Sequence, residues 1–289
     1  MEHTQRGPVY ADPIGSFLFV TLNQPAIRNP LGPEIVEEIQ RMLDTAQEDA
    51  SIRAVVFRGA GETFSAGGNL AKFEARRDSV PPPGGPDPIA ASNRRFGDFL
   101  LRLTLFPKPV VALVQGAAVG GGMGLVCASD IAVCAADAKF ALTETSIGLL
   151  PAQVLPFVMD RVGPHNARRL MLTAERVTAR EALRIGLVDI VEEGPAALTA
   201  RLAAVLDGIG KCSPRANAVT KGLSCRWQQA LHDTESLGKL LDDAASAFAQ
   251  QMRSADFEGV RAARERRAPP WSTVLDAAQR ELLVLEAAR

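Results

Sequence analysis

The sequence lacks several features on which protein function often depends. Its histidines, His3, His165 and His232, are far apart, and its four cysteines form no C-x-x-C pair, so no zinc site is predicted and the thiols should be reduced. Lys and Arg total 32 against 33 Asp and Glu, so no field attracts nucleic acid or an anionic membrane. No apolar run could cross a bilayer, and the N-terminal segment MEHTQRGPVYADP has no signal-peptide pattern. We therefore expect a cytoplasmic protein without metal, nucleic-acid or membrane partners.

The common cofactor motifs are also missing, although glycines cluster in AVGGGMGL at residues 118–125. The dinucleotide pattern G-x-G-x-x-G fails because a motif that starts at Gly122 places Cys127 at its last position. Neither a P-loop nor the hydrolase motif G-x-S-x-G occurs. The glycines could simply allow a helix to pack closely on a sheet, or they could free backbone N–H groups for a ligand.

The pattern that is present is an alternation of short apolar strands and amphipathic helices. Residues 16–22, 54–58, 110–114 and 131–134 are typical of strands, whereas residues 33–47 have helical spacing. Alternation of this kind predicts an α/β fold with parallel strands joined by crossovers. The chain is almost wholly helical after residue 155, which suggests a core over residues 1–205 and a helical region over residues 206–289. The segment RRDSVPPPGGPDP, residues 76–88, is predicted to be a loop near the glycines.

A second glycine-bearing loop, FSAGGNL at residues 64–70, follows the strand at 54–58. Two such loops can direct two backbone N–H groups at one atom, which stabilises an oxyanion without a charged side chain.

Together with the run PKPVVALVQGAAVGGGMGLVCASDIAVCAADAKFALTETSIGLLP and the segment REALRIGLVDIV, this loop resembles the crotonase superfamily of enoyl-CoA hydratases and isomerases. The resemblance extends from about residue 16 to residue 191. It implies a spiral of ββα units with a helical C-terminal trimerisation region, hence a homotrimer or a dimer of trimers. It also implies an acyl-CoA thioester substrate, with coenzyme A as part of the substrate and no further cofactor.

The resemblance assigns the oxyanion-stabilising donors to the backbone N–H groups of Gly68 and Gly121. Gly68 stands where the family often has Ala, so the donor is retained and only a methyl group is lost. Asn69 replaces a usual Asp and Ala71 a usual Lys, which puts charged contacts from this loop in doubt. The remaining substrate contacts implied by the matching segments are Ala66, Leu70 and Arg28, the last suited to a coenzyme A phosphate.

The same resemblance assigns the acid/base role to a single carboxylate. Two-glutamate hydratases carry one catalytic Glu two positions after the glycine triplet, where this chain has Gly124. The second carboxylate is present as Glu144, whose pKa should rise toward neutrality in a pocket of low dielectric constant. The missing side chain at Gly124 is expected to leave room for substrate.

One carboxylate is compatible with more than one reaction. Glu144 could hydrate an enoyl-CoA, or it could move a proton between the α and γ carbons as a double-bond isomerase. A noncatalytic acyl-CoA-binding homologue is the alternative of another class. The turn Pro151-Ala-Gln153 replaces a glycine-rich turn of ordinary hydratases and is similar to a subgroup that includes isohexenylglutaconyl-CoA hydratase. The resemblance therefore favours a hydratase for a branched or bulky enoyl-CoA.

Overall fold

The computed structural model describes residues 6–76, 79–81, 84–230 and 233–287. The strands are β1 (Val9–Ile14), β2 (Phe17–Leu22), β3 (Ala54–Gly59), β4 (Val110–Val114), β5 (Ala117–Val119), β6 (Ile131–Ala135), β7 (Lys139–Ala141), β8 (Val177–Thr178) and β9 (Ile190–Glu192). The helices are α1 (Pro33–Glu48), α2 (Leu70–Arg76), α3 (Pro88–Leu105), α4 (Gly121–Cys127), α5 (Leu155–Thr173), α6 (Ala179–Arg184), α7 (Pro195–Lys211), α8 (Pro214–Ser224), α9 (Trp227–Ala230), α10 (Thr234–Met252), α11 (Glu258–Arg264) and α12 (Ala277–Ala287).

Two sheets organise these elements. The larger has the strand order β1-β2-β3-β4-β6-β9, and all of its pairings except β1 with β2 are parallel. Its central strands are buried on both faces, as parallel strands between helices must be. The smaller sheet has the order β5-β7-β8. This architecture confirms the predicted α/β class with parallel crossovers.

The two faces of the larger sheet pack against different helices. On the inner face, Val55 and Phe57 of β3 share one apolar cluster with residues of α1, α3, α4 and α5. On the outer face, Phe19 and Val56 share a second cluster with Leu202 of α7 and with Leu283 of α12. Since the two glycine-bearing loops contact residues of α3 and α4, the inner face supports the candidate site.

The C-terminal part of the chain is attached through a buried guanidinium. Arg53, the residue before β3, is 7% exposed and donates from Nη1 to the Trp271 carbonyl oxygen at 2.6 Å. Its Nη2 donates to the carbonyl oxygen of Cys212. These bonds join the sheet to the segment between α7 and α8 and to the segment between α11 and α12.

The predicted boundary at residue 205 falls inside α7, which continues to Lys211. Leu198, Leu202 and Leu206 of this helix are buried on the outer face of the sheet, so α7 belongs to the core. Leu275 and Leu283 share this cluster although they lie in the region after residue 206, so a division of the chain into two domains stays a prediction.

Other expectations have mixed outcomes. The loop predicted over residues 76–88 lies partly outside the described residues, which omit 77, 78, 82 and 83, and α3 already begins at Pro88. The four cysteines are free thiols. Within the described ranges, no helix is both long enough and apolar enough to span a bilayer.

Candidate functional site

The loop after β3 is fixed by the turn before α1. Asn29, buried and left-handed at φ 52°, accepts from the Gln24 N–H at 2.8 Å. Its side-chain amide donates to the carbonyl oxygens of Ala60 at 2.9 Å and Thr63 at 2.7 Å. One buried amide thus defines the path of the loop that leads to FSAGGNL.

Ser65 continues this attachment into the glycine segment. Its hydroxyl donates to the Asn29 carbonyl oxygen at 2.7 Å and accepts from the Gly67 N–H at 3.1 Å. The Leu31 N–H donates to the Gly67 carbonyl oxygen at 2.8 Å. The neighbouring polar groups are therefore paired, whereas the Gly68 N–H donates to no group among the described residues.

The second glycine-bearing loop lies directly against the first. A Cβ atom on Gly67 would stand 2.5 Å from the Val119 carbonyl oxygen and 2.9 Å from the Gly121 nitrogen. Gly121 is the first residue of α4, so its N–H has no intrahelical acceptor. The structure thereby brings Gly68 and Gly121 onto two touching loops, and only glycine at position 67 permits this approach.

Glu144 lies beside these loops. It follows β7 in the 3₁₀ turn Glu144–Ile147, and a Cβ atom on Gly120 would be 2.9 Å from its Oε1. Gly120 has φ 53°, a conformation that favours glycine independently of this contact. The single carboxylate predicted from the sequence is thus adjacent to the residue that precedes Gly121.

The environment of Glu144 favours its neutral form. Its Oε2 is buried and has no hydrogen-bond partner among the described residues. Burial therefore raises the pKa of this carboxyl above its ordinary value of 4.5, against a smaller opposing effect of a backbone hydrogen bond. A carboxyl with a raised pKa is suited to accept and return a proton.

Phe73 occupies the place of the methyl group that Gly68 lacks. A Cβ atom on Gly68 would be 2.4 Å from Cζ of the Phe73 ring, which α2 positions over the loop. Sequence reasoning missed this contact, because the sequence does not show that the ring of Phe73, five residues later, turns back over the glycine. The Phe73 ring therefore fills the space beside Gly68.

The prediction that Gly124 leaves room for substrate is wrong. A Cβ atom on Gly124 would be 2.5 Å from Cγ1 of Val154 and 3.2 Å from Cδ1 of Leu100. Val154 is 4% exposed and Leu100 is fully buried, so the space is filled by core side chains. Val154 directly follows the turn Pro151–Gln153 and precedes the first residue of α5.

The remaining predicted contacts lie at the rim of the site. Arg28 is exposed at φ 61°, and its carbonyl oxygen accepts from the Ala66 N–H at 2.8 Å. Asn69 caps α2 by accepting from the Lys72 N–H at 3.3 Å. Leu70, the first residue of α2, is 59% exposed. These residues surround the glycine loops, but their substrate contacts stay predictions.

A cavity of about 350 Å³ lies elsewhere, on the outer face of the larger sheet. Its wall includes Phe19, Arg58 and Leu198, and it contains none of the predicted site residues. The Glu144 carboxylate and the loops of Gly68 and Gly121 lie on the inner side instead, so we locate the candidate site there. Among the described residues, no three His, Cys, Asp or Glu side chains are grouped to hold a metal ion.

Comparison with known proteins agrees with this geometry. The family model described as enoyl-CoA hydratase/isomerase matches residues 15–274. A crystal structure of an enoyl-CoA hydratase/isomerase from Marinobacter aquaeolei is 37% identical with a TM-score of 0.86, covering 92% of this chain and 99% of its own. The structure of AtuE from Pseudomonas aeruginosa is 43% identical with a TM-score of 0.84, covering 92% of this chain and 100% of its own.

A further relative is (E)-benzylidenesuccinyl-CoA hydratase of Thauera aromatica, 34% identical over 74% of this chain and 80% of that protein. The chain belongs to the enoyl-CoA hydratase/isomerase family, the crotonase superfamily. Membership confirms the resemblance and the crotonase-like fold with its C-terminal helices.

We expect Gly68→Ala to push the Phe73 ring aside and to destabilise the protein by about 1 kcal/mol, the low end of overpacking effects. The ring is 49% exposed and can move, which limits the loss. Adding Phe73→Ala should remove most of it, as measured by urea unfolding of both single variants and the double variant. Strictly additive losses would contradict the contact.

We expect Gly124→Glu to destabilise the protein by roughly 1–3 kcal/mol from overpacking, and further through burial of a carboxylate. Val154→Gly in the same chain should recover a substantial part, since Val154 makes the closest contact. Urea unfolding of the double variant, with Val154→Gly alone as control, measures the recovery. If Gly124→Glu alone were as stable as wild type, a side chain at position 124 would fit without displacing Val154, which would contradict the contact.

Proposed function

We propose that the protein is an enoyl-CoA hydratase, a lyase that adds water across the 2,3 double bond of an acyl-CoA thioester. The observation that carries the proposal is the position of the Glu144 carboxylate against Gly120, next to the backbone donors of Gly68 and Gly121. Relatives named as hydratases, including the Thauera aromatica protein, support the same reaction.

In the proposed mechanism, the thioester carbonyl oxygen accepts hydrogen bonds from the N–H groups of Gly68 and Gly121. Ionised Glu144 removes a proton from water while the water oxygen bonds to the β-carbon, and the electrons of the double bond move into the thioester as an enolate. The two N–H groups stabilise the negative charge on that oxygen. Protonated Glu144 then returns its proton to the α-carbon, which gives a 3-hydroxyacyl-CoA and restores the carboxylate.

The alternative reaction uses the same groups without added water. Glu144 would remove a proton from one carbon and return it to another, so that the double bond moves between the α,β and β,γ positions. A noncatalytic acyl-CoA-binding role has less support, because a binder has no need of a buried carboxylate with a raised pKa beside the two donors.

The proposed substrate is a branched or bulky enoyl-CoA. Its support is the Pro151–Gln153 turn and the aromatic substrate in the name of the Thauera aromatica relative, and not space at Gly124, which Val154 fills. Coenzyme A enters as part of the substrate, and we propose no other cofactor. Exposed Arg28 is proposed to meet a coenzyme A phosphate, and the cytoplasm is the proposed location.

We expect Glu144→Gln to lower turnover of an enoyl-CoA by roughly 10²- to 10⁴-fold, the usual effect of removing a general acid/base. In wild-type enzyme, kcat/KM should fall as the pH decreases through the raised pKa of Glu144, because hydration needs the ionised form. The reaction in ¹⁸O-labelled water then distinguishes the reactions: label in a 3-hydroxyacyl product supports hydration, whereas a shifted double bond without label supports isomerisation. Turnover that survives Glu144→Gln would reject both.

The same variant has an opposite effect on stability. Because burial raises the folded-state pKa of Glu144 above its unfolded value, the contribution of this carboxyl to stability is fully present below the unfolded pKa and is lost as the pH rises through the folded-state pKa. Glu144→Gln removes this loss and should unfold at a higher urea concentration than wild type at pH 7. The control is the same comparison at a pH below 4, where both side chains are neutral and the difference should shrink.

We also propose a homotrimer or a dimer of trimers. Helix α10 exposes Leu241 at 62%, Phe248 at 69% and Met252 at 44%, an apolar surface larger than an isolated helical region leaves to water. Light scattering at micromolar concentration should give three or six times the mass of one chain, which is 30.8 kDa. A monomer at that concentration would contradict the proposal.

A further inference from the structure

Gln153 lies across α3 at a position where the helix has no side chain. A Cβ atom on Gly97 would be 2.0 Å from Oε1 of Gln153, so the glutamine amide rests directly on the buried helix backbone. Any residue larger than glycine at position 97 would force this side chain away. The turn at residues 151–153 and the glycine in α3 therefore form one contact.

This contact belongs to the wall of the proposed active site. Phe96, next to Gly97, extends toward α4, where its Cζ would be 3.0 Å from a Cβ atom on Gly121. Val154, next to Gln153, packs on Gly124 of the same helix. Both partners of the contact between Gln153 and Gly97 therefore have a chain neighbour that packs on α4. The first residue of α4 supplies one of the proposed oxyanion donors.

The amide of Gln153 retains its hydrogen-bonding capacity. It carries two N–H donors and one oxygen acceptor, yet it forms no hydrogen bond with any described residue, and the side chain is half-buried. Its chain neighbour Val154 and the Phe96 side chain beside Gly97 are apolar. An amide without a protein partner beside such side chains is a type of group that orients a ligand.

A cation lies next to the amide. Nη1 of Arg94 would be 3.1 Å from the same Cβ position on Gly97, so the two side chains converge above one point of α3. Arg94 also pairs with Asp98 at 2.7 Å, both side chains being about half exposed, so its charge is partly balanced. The amide is therefore the principal donor, and the guanidinium adds a positive potential around it.

We propose that Gln153 is a specificity-determining residue, which selects an acyl chain carrying an oxygen-bearing substituent over a plain hydrocarbon chain. The inference rests on the proposed function, because it assigns the acyl group to the wall formed by Gln153 and Phe96. The Gln153 amide donates to the substituent oxygen, and Arg94 favours a carboxylate over a neutral oxygen at that position. A hydrocarbon chain leaves the amide unpaired in the complex and binds less well.

The test uses three substrates of matched length: 2-pentenoyl-CoA, glutaconyl-CoA, which has a carboxylate in place of the terminal methyl group, and the methyl ester of glutaconyl-CoA. Wild-type enzyme should have a higher kcat/KM for both oxygen-bearing substrates than for 2-pentenoyl-CoA. Gln153→Leu should reduce that preference by roughly 10- to 100-fold, the effect of one lost hydrogen bond to a charged group. Arg94→Leu should reduce the preference for glutaconyl-CoA over its ester and leave the ester unaffected.

The matched control is Gln47→Leu, the same replacement at an exposed position on α1, which should leave all three values unchanged. An unchanged preference in Gln153→Leu, or an equal loss with all three substrates, would overturn the inference while 2-pentenoyl-CoA hydration by wild type still upholds the proposed function. Absence of turnover with every substrate would instead count against the proposed function itself.

Discussion

The site depends on one steric constraint, the contact between two loops that come from different parts of the chain. Gly67 approaches Val119 and Gly121 so closely that even a methyl group would overlap a carbonyl oxygen. Because backbone meets backbone here, Gly68 and Gly121 lie on two loops that touch each other. Buried Asn29 and Ser65 fix the loop in this position, because their side chains hydrogen-bond backbone carbonyl oxygens that would otherwise bind water.

The contact between Gly124 and Val154 shows that core side chains fill the space beside a glycine of the candidate site. The resemblance places a glutamate at position 124 and a glycine-rich turn at residues 151–153, whereas this chain has Gly124 and the turn Pro151–Gln153 followed by Val154. A Cβ atom on Gly124 would stand 2.5 Å from Cγ1 of Val154, so the valine occupies the space beside the glycine. The absence of a carboxylate at position 124 therefore goes with close packing and not with a larger pocket.

Much of the fold was accessible from the sequence because its signals are local. The spacing of apolar residues predicted β2, α1, β3, β4 and β6, and the glycine-bearing loops with their family resemblance predicted Gly68, Gly121 and Glu144 as neighbours. Contacts that depend on the path of the chain or the direction of a side chain were not accessible. Phe73 is close to Gly68 in sequence, but the sequence does not show that its ring turns back over the glycine, and nothing near Gly124 indicates Val154. The acceptors of Arg53 are more than 150 residues away in the chain.

The last helix has a consequence for the way the protein is made. Ile14 and Phe17, in the β1–β2 hairpin, share the outer apolar cluster with Leu275 and Leu283, and the side chain of Gln279 packs against Gly15. The residues that cover this hairpin are therefore synthesised after the other strands of the sheet and after α1 to α11. Until Trp271 and α12 have been made, this part of the hairpin's apolar surface has no cover and Arg53 lacks one of its two acceptors. A chain that stalls before α12 should therefore expose the apolar outer face of the hairpin.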